Sequence, residues 1–314
     1  MAIPVGTATT HSAVVNREDL SDIIYRISPT DTPFMSAIGR GKATNRNHEW
    51  VTDELDKPGS NAYIEGDTTD AKAISPGVRV SNRVQESRKS ARISTIQEKS
   101  TSAGNLLTMS KQMAKKMAEL KLDMEYALIN NKTAVEGSSS AAAQLRGLEG
   151  WLKTNANKAT DGKDPDPIAN TAAVDGTQRE FTEDLLKDTL QKIWQEGGNP
   201  NLILASGKQK QKFSTFDGRA NTTVTDAASA KTLVNAVDIY VSDFGRLKVV
   251  PSRVQRARTV FVLETGKFAV DYLMDFKTKD LAYQGGSEAK EISVAYTLKC
   301  GNEKSSGVIR DLTE

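Results

Sequence analysis

The stretch TSAGNLLTMSKQMAKKMAELKLDMEYALINN, Thr101 to Asn131, decides how the rest of the chain is read. Leu106, Met109, Met113, Met117, Leu120, Met124 and Leu128 recur at spacings of three and four with no proline among them, the period of one apolar helical face. About 30 residues at 1.5 Å each make a rod of roughly 45 Å, long against the three or four turns of an average globular helix. Such a rod sets the shape of whatever contains it. Lys111, Lys115, Lys116 and Lys121, with Glu119 and Glu125 interspersed, are assigned to a hydrated opposite face. Four methionines on one stripe read as an adaptable core seam, not a cofactor box.

Upstream of the rod the chain lacks bulk. Residues 1–40 hold short apolar clusters broken by Pro29 and Pro33, which stop any long helix. Leu20, Ile23, Ile24 and Ile27 fall at helical spacing and Phe34 follows the second proline, so this arm needs a surface supplied by something else. From about Gly39 to Ile96 strand-like alternation takes over. Trp50 and Leu55 punctuate an outgoing limb, Lys57-Pro58-Gly59-Ser60-Asn61 turns the chain, and Val78, Val80, Val84, Ile93 and Ile96 mark the return. An isolated two-stranded ribbon is marginal in water, so the excursion is expected to lie on a neighbouring subunit or to be mobile. The outgoing limb carries Glu49, Asp53, Glu54 and Asp56; the return carries Arg79, Arg83, Arg88, Lys89 and Arg92. Opposite charge on two limbs suits an inter-subunit clamp, and two solvated strand faces are the alternative.

Downstream, residues 137–143 (GSSSAAA) are a flexible break, and the glycines of residues 145–152 (LRGLEGWL) predict a tight turn that anchors Trp151. Residues 154–178 read as surface loop. Thr182 with Glu183, Asp184 and Leu185 predicts a capping box, and Leu185, Leu186, Ile193 and Trp194 form one apolar side until Gly197 and Gly198. A short strand at Leu202–Leu204, a basic helix over 206–216, and a hairpin of 238–241 with 247–250 complete an α+β unit. Strands at 260–263, 268–273 and 291–298 close the chain.

Composition removes many chemistries. The 314 residues carry 42 Lys+Arg against 40 Asp+Glu, a net charge of +2, which gives no global field of the kind a dedicated nucleic-acid binder carries. One cysteine, Cys300, closes no intrachain bridge, and His11 and His48 leave little for a zinc site. No signal peptide, no apolar run long enough to span a membrane and no fixed-period repeat is visible. A Walker A loop needs Gly five residues before its Gly-Lys pair; Leu202 precedes Gly207-Lys208 and Phe261 precedes Gly266-Lys267. Gly39-Arg40-Gly41 reads as a turn, and Cys300 as a small half-buried residue. No cofactor and no enzymatic activity are expected.

Arm, charged two-limbed excursion, long amphipathic helix, α+β inset and closing strands: over the full chain this order resembles the major capsid proteins of tailed bacteriophages, an α+β architecture with the HK97-like fold. Locally, TPFMSAIG (residues 32–39) and HEWVTDEL (48–55) resemble the opening of the SU10-like capsid family. The resemblance implies an N-terminal arm over 1–40, an extended loop over 41–95, a peripheral domain with the spine helix over 96–180, an axial domain over 181–255, and peripheral return strands over 256–314. It implies a virion protein, assembled in the host bacterial cytoplasm, that forms hexamers and pentamers of an icosahedral shell. Leu20, Ile23, Ile24 and Phe34 would supply apolar contacts between subunits, and Glu49, Asp53, Glu54, Arg79, Arg83, Arg88 and Arg92 would set their register. A portal protein, double-stranded DNA held without sequence specificity and a decoration protein are the implied partners, with no membrane. Some relatives carry a scaffolding-like domain ahead of the arm; a chain starting at Met1 leaves no room for it, so a separate scaffolding protein is expected. Some also crosslink through a lysine of the extended loop; Lys57 and Lys72 lie in that region, but nothing around them identifies a reactive pair. The rival readings are an encapsulin-like compartment shell of the same fold, another virion component such as a tail or baseplate protein, and a soluble DNA-binding module using Arg79–Arg92. A tail-tube subunit would lack the long helix.

Overall fold

The computed structural model describes residues 31–55, 58–66, 68, 77–100, 107–216 and 238–314. In chain order they begin with the short helix α1 (Pro33–Ala37), β1 (Gly39–Lys42), β2 (Asn47–Thr52), β3 (Val78–Arg83), β4 (Gln85–Ser94), α2 (Thr95–Lys99) and the long helix α3 (Met109–Asn130). Then come α4 (Leu148–Trp151), β5 (Ala156–Asn157), α5 (Glu183–Gln195), β6 (Leu202–Ala205), α6 (Gly207–Phe213), β7 (Ile239–Ser242) and β8 (Gly245–Pro251). The closing strands are β9 (Val260–Leu263), β10 (Phe268–Asp280), β11 (Ser287–Cys300) and β12 (Gly307–Ile309).

The 22 residues of α3 make a rod of roughly 33 Å. Met109, Met113, Leu120, Met124 and Leu128 are buried and Met117 is half-buried, as the stripe requires; Leu106 lies outside the described residues. Two features depart from simple amphipathicity. From Met124 onward nearly every side is enclosed, with Ala127, Ile129 and Asn130 buried as well. Glu125, assigned by spacing to the hydrated face, is fully buried. The helix lies against a four-stranded sheet of order β1-β10-β11-β4, and Ile292, Val294, Tyr296, Leu298 and Cys300, every second residue of β11, enter the same core. That alternation is the pleat of a strand with one face on a helix. Cys300 is therefore fully buried, not half-buried. Gly39-Arg40-Gly41 is not a turn; it opens β1, the parallel edge partner of β10. A Cβ at Gly41 would stand 2.1 Å from Asp271 Oδ1, so the glycine clears room for a carboxylate.

A second sheet, order β5-β12-β9-β6-β8-β7, divides two cores. Leu202, Leu204, Phe261 and Leu263 face the core of α3, while Ile203, Ala205, Val260 and Val262 face a second one closed by α5 and α6. The central strands, buried on both faces, have no polar alternation, as such strands should not. This sheet takes β5, β9 and β12 from outside residues 181–255, so the boundaries expected for an axial unit cut through it. The α5 end follows its glycines: Gly197 has φ +84°, and the N–H groups of Gly197 and Gly198 reach the carbonyls of Trp194 and Ile193, a left-handed cap that ordinary side chains resist. At the other end Thr182 makes no side-chain cap bond, so the acids of the first turn, Glu183 and Asp184, act on the helix dipole without a capping box. Trp194, expected on the buried side, is 58% exposed and stacks on Phe244 at 5.5 Å; Leu190 and Thr189 take the buried positions instead.

If the α3 stripe carries the core, Leu128→Ala lowers unfolding free energy by about 2–5 kcal/mol, whereas Lys115→Ala on the exposed side shifts it by no more than about 0.5 kcal/mol. Urea denaturation of the two variants, compared with the parent chain, decides this, and equal effects would mean the helix is packed by another face.

Candidate assembly interface

The extended loop leaves the body at a root where the sequence places polar and aromatic side chains at alternating positions of β2 and β3. These strands pair antiparallel from Asn47↔Arg83 to Thr52↔Val78, and the ribbon is fastened at its base. Asn82 is 1% exposed; its amide donates to the carbonyls of Arg146 (3.0 Å) and Leu298 (2.8 Å), and its Oδ1 accepts from the N–H groups of Arg146 (2.8 Å) and Arg83 (2.9 Å). Both donors and both lone pairs of the amide are thereby filled. Trp50 Nε1 donates to the Cys300 carbonyl at 2.8 Å, and its ring lies 5.5 Å from that of Trp151, over which the Arg146 guanidinium stands at 4.8 Å. His48 Nε2 comes within 2.7 Å of Asp271 Oδ2, off the line of a straight hydrogen bond, so the contact is an ion pair when the imidazole is protonated. Thr297 Oγ1 donates to the Arg83 carbonyl at 2.9 Å. A cavity of about 240 Å³ opens beside this root, lined by Val78, Val80, Trp151, Ile168 and Lys304 among others.

Beyond the root the ribbon has no core. Every described residue from Asp53 to Gly66 is exposed, Leu55 at 97% and Ile64 at 81%. Tyr63, at 57%, stands in water beside Ile64.

The candidate contact residues separate into four groups. Leu20, Ile23 and Ile24 lie outside the described residues, as do Lys57 and Lys72. Phe34, expected to reach a neighbour, is 0% exposed and packs edge-on to Phe268 at 6.1 Å; enclosed by its own chain, it has no surface to offer another. Glu49, Asp53, Glu54, Arg79 and Arg83 do belong to the ribbon or its root. Glu49 pairs with Arg79 across the limbs at 3.4 Å, Glu54 with Lys304 at 2.6 Å and Arg83 with Glu136 at 2.9 Å, while the exposed Asp53 accepts only from the Glu54 N–H next to it among the bonds described. The hydrogen bond from Lys304 to Glu54 holds the ammonium above its ordinary range. Arg88 and Arg92 are not on the return limb at all: they stand on β4, which joins the main sheet beside β11. There Arg88 bonds Glu86 at 2.8 Å, holding that carboxylate below its usual range, and Arg92 bonds Gln284 at 3.3 Å. The excursion therefore ends at Arg83, because the strand after Val84 changes partners. Spacing missed Asn82, since one amide among polar strand residues carries no periodic signal, and missed Glu125 for the same reason on the helix.

Among the described residues no group of His, Cys, Asp or Glu side chains could hold a metal ion, and no helix is long and apolar enough to cross a membrane. Cys300 lies 2% exposed and burial pushes its thiol well above the ordinary range, the reverse of an activated nucleophile.

A long helix across one sheet, a second sheet shared between two cores and a ribbon projecting from their junction define a shell-forming subunit. A chain of the cyanophage A-1(L) capsid asymmetric unit matches with TM-score 0.68 at 12% identity, over 98% of this chain and 99% of that one. A chain of the holo-SrpI encapsulin complex from Synechococcus elongatus PCC 7942 matches at 0.55 and 12% identity, over 95% and 92%. The fold is HK97-like. In sequence, a major capsid protein of Escherichia phage Phieco32 is 23% identical over 318 residues, 90% of each chain. The family model for the SU10 major capsid protein matches residues 4–313, and the chain belongs to that family: it is a phage major capsid protein.

Two measurements probe the root. Asn82→Ala leaves several buried backbone groups unpaired, each worth about 1–3 kcal/mol, and lowers unfolding free energy by at least about 3 kcal/mol; a loss under about 1 kcal/mol would show that the amide does not hold the ribbon. Native protein at pH 8 leaves Cys300 unmodified by a thiol reagent, and one thiol per chain appears in denaturant; rapid native labelling would contradict the burial described.

Proposed function

We propose that the chain closes an icosahedral shell of hexamers and pentamers around double-stranded DNA, and that the extended loop is the element by which each subunit grips the next. One observation supports this most directly: the loop is rigidly fastened at its root, yet every described residue beyond Thr52 up to Gly66 is exposed, apolar Leu55 and Ile64 included. A monomer gains nothing from holding such groups in water. Copies arranged head to tail around a rotation axis bury one another's projections and close into rings, and many weak contacts per subunit add up to a stable container. The role is assembly, not turnover.

This reading carries with it the scaffolding protein that directs curvature, the portal at one vertex, a decoration protein on the outside, and assembly in the host bacterial cytoplasm. A compartment shell has the same fold, but the sequence likeness to phage capsid proteins favours the virus. The DNA-binding module is disfavoured by the pairing of its arginines, since Arg79, Arg83 and Arg88 each meet a carboxylate and would have to give it up to meet a phosphate.

Because Thr52 and Val78 are register partners, residues 53–77 can be replaced by Asn-Gly to close a two-residue hairpin without touching β4. Expressed with its scaffold, this variant remains folded, melts within a few degrees of the parent and forms no closed particles by negative-stain microscopy. Normal particles from it would refute the role given to the loop.

A further inference from the structure

Glu125 has no part in the assembly reading, and its surroundings are unusual. The side chain is 0% exposed. One carboxylate oxygen accepts the Phe34 N–H at 2.7 Å and the other accepts the Met35 N–H at 2.8 Å. Both amides belong to the opening turn of α1, where Pro33 has no N–H and the Ser36 N–H is already bonded to the Thr32 carbonyl. Among the described residues no cation accompanies the buried carboxylate. α1 has no charged side chain; on α3, Lys121 and Asp123 point to the exposed side. The charged and titratable groups of the packed elements are engaged elsewhere: Lys89 of β4 with Asp123, Glu149 of α4 with Arg256, Asp271 of β10 with His48, and Tyr296 of β11 with Ser87, while the Cys300 thiol is buried.

We propose that Glu125 and the amides of Phe34 and Met35 form a proton-controlled latch at the root of the N-terminal arm, seated when the carboxyl is protonated and loosened when it ionises. Two effects oppose each other. The ionised form accepts both amides, but it has left water without a counter-charge, and burial wins: desolvation, partly offset by the two amide bonds, pushes the carboxyl up to about 7. When α1 lifts and water reaches the group, it returns to the ordinary value of 4.5. The seated state thus binds the proton more tightly than the lifted one. Seating is strongest below pH 4.5, weakens as pH rises towards 7, and is constant above that.

The test is amide hydrogen exchange of residues 34–38 in the full-length chain at pH 5.5, 7.0 and 8.5, corrected for intrinsic exchange rates. Protection in the parent chain falls on the order of 30-fold between pH 5.5 and 8.5, while in Glu125→Gln it changes by less than about 3-fold. Glu125→Met, which keeps the volume without the charge, gives the same flat profile and serves if the glutamine variant does not fold. A flat profile in the parent, or the same fall in either variant, overturns the latch. Particle yield scored on the same samples separates the outcomes: missing particles count against the shell, not against the latch.

Discussion

Everything else in this subunit rests on the burial of one side of α3 against the β10–β11 ladder. The stripe from Met109 to Leu128 and the alternate residues of β11 from Ile292 to Cys300 enter a single core, and each fully enclosed Leu or Met contributes about 1.5–3 kcal/mol of transfer free energy. That contact fixes the plane of the first sheet. The two-faced second sheet then joins the core closed by α5 and α6 to it through Leu204 and Phe261. With helix and both sheets immobile, the loop root has a rigid wall to bond to, because Trp50 and Asn82 reach backbone carbonyls at the end of β11 itself.

What the sequence made legible follows from the same physics. Local pattern was readable in α3, whose buried stripe is periodic, in the wholly apolar β6 and at the glycine end of α5. Where burial is decided by an encounter with a distant segment, periodicity is silent. Glu125 looks like any charged residue on a helix until α1, some ninety residues earlier, presents two amides to it. Trp194 looks like core until the hairpin tip supplies Phe244 as an exposed partner. Arg88 and Arg92 continue the basic run of the return limb in sequence, yet the ladder changes from β2 to β11 at Val84, a switch that no local pattern announces. The order of elements was legible because it depends on the readable pieces.

The loop charges were read as a clamp between subunits, and in the single chain they clamp the loop to itself and to its own body. Glu49 meets Arg79 and Glu54 meets Lys304, with side chains between 29% and 75% exposed. Exposed pairs of this kind contribute about 0–1 kcal/mol each, too little to hold a ribbon in place against its conformational entropy. The root is held instead by buried bonds at Asn82 and Trp50, which leave no charge unpaired.

This division of labour bears on how a shell subunit can be both stable and able to form new contacts. A buried pair broken on one side strands a charge and costs several kcal/mol, whereas an exposed pair exchanges one carboxylate for another at almost no cost. Arg79 and Lys304 can therefore leave their own-chain partners for a neighbour's acids without disturbing the fold, while Asn82 cannot. In the single chain the loop pairs are weak, solvent-exposed occupants of Arg79 and Lys304. The fixed root and the exchangeable surface charges are thus separate parts of the same ribbon.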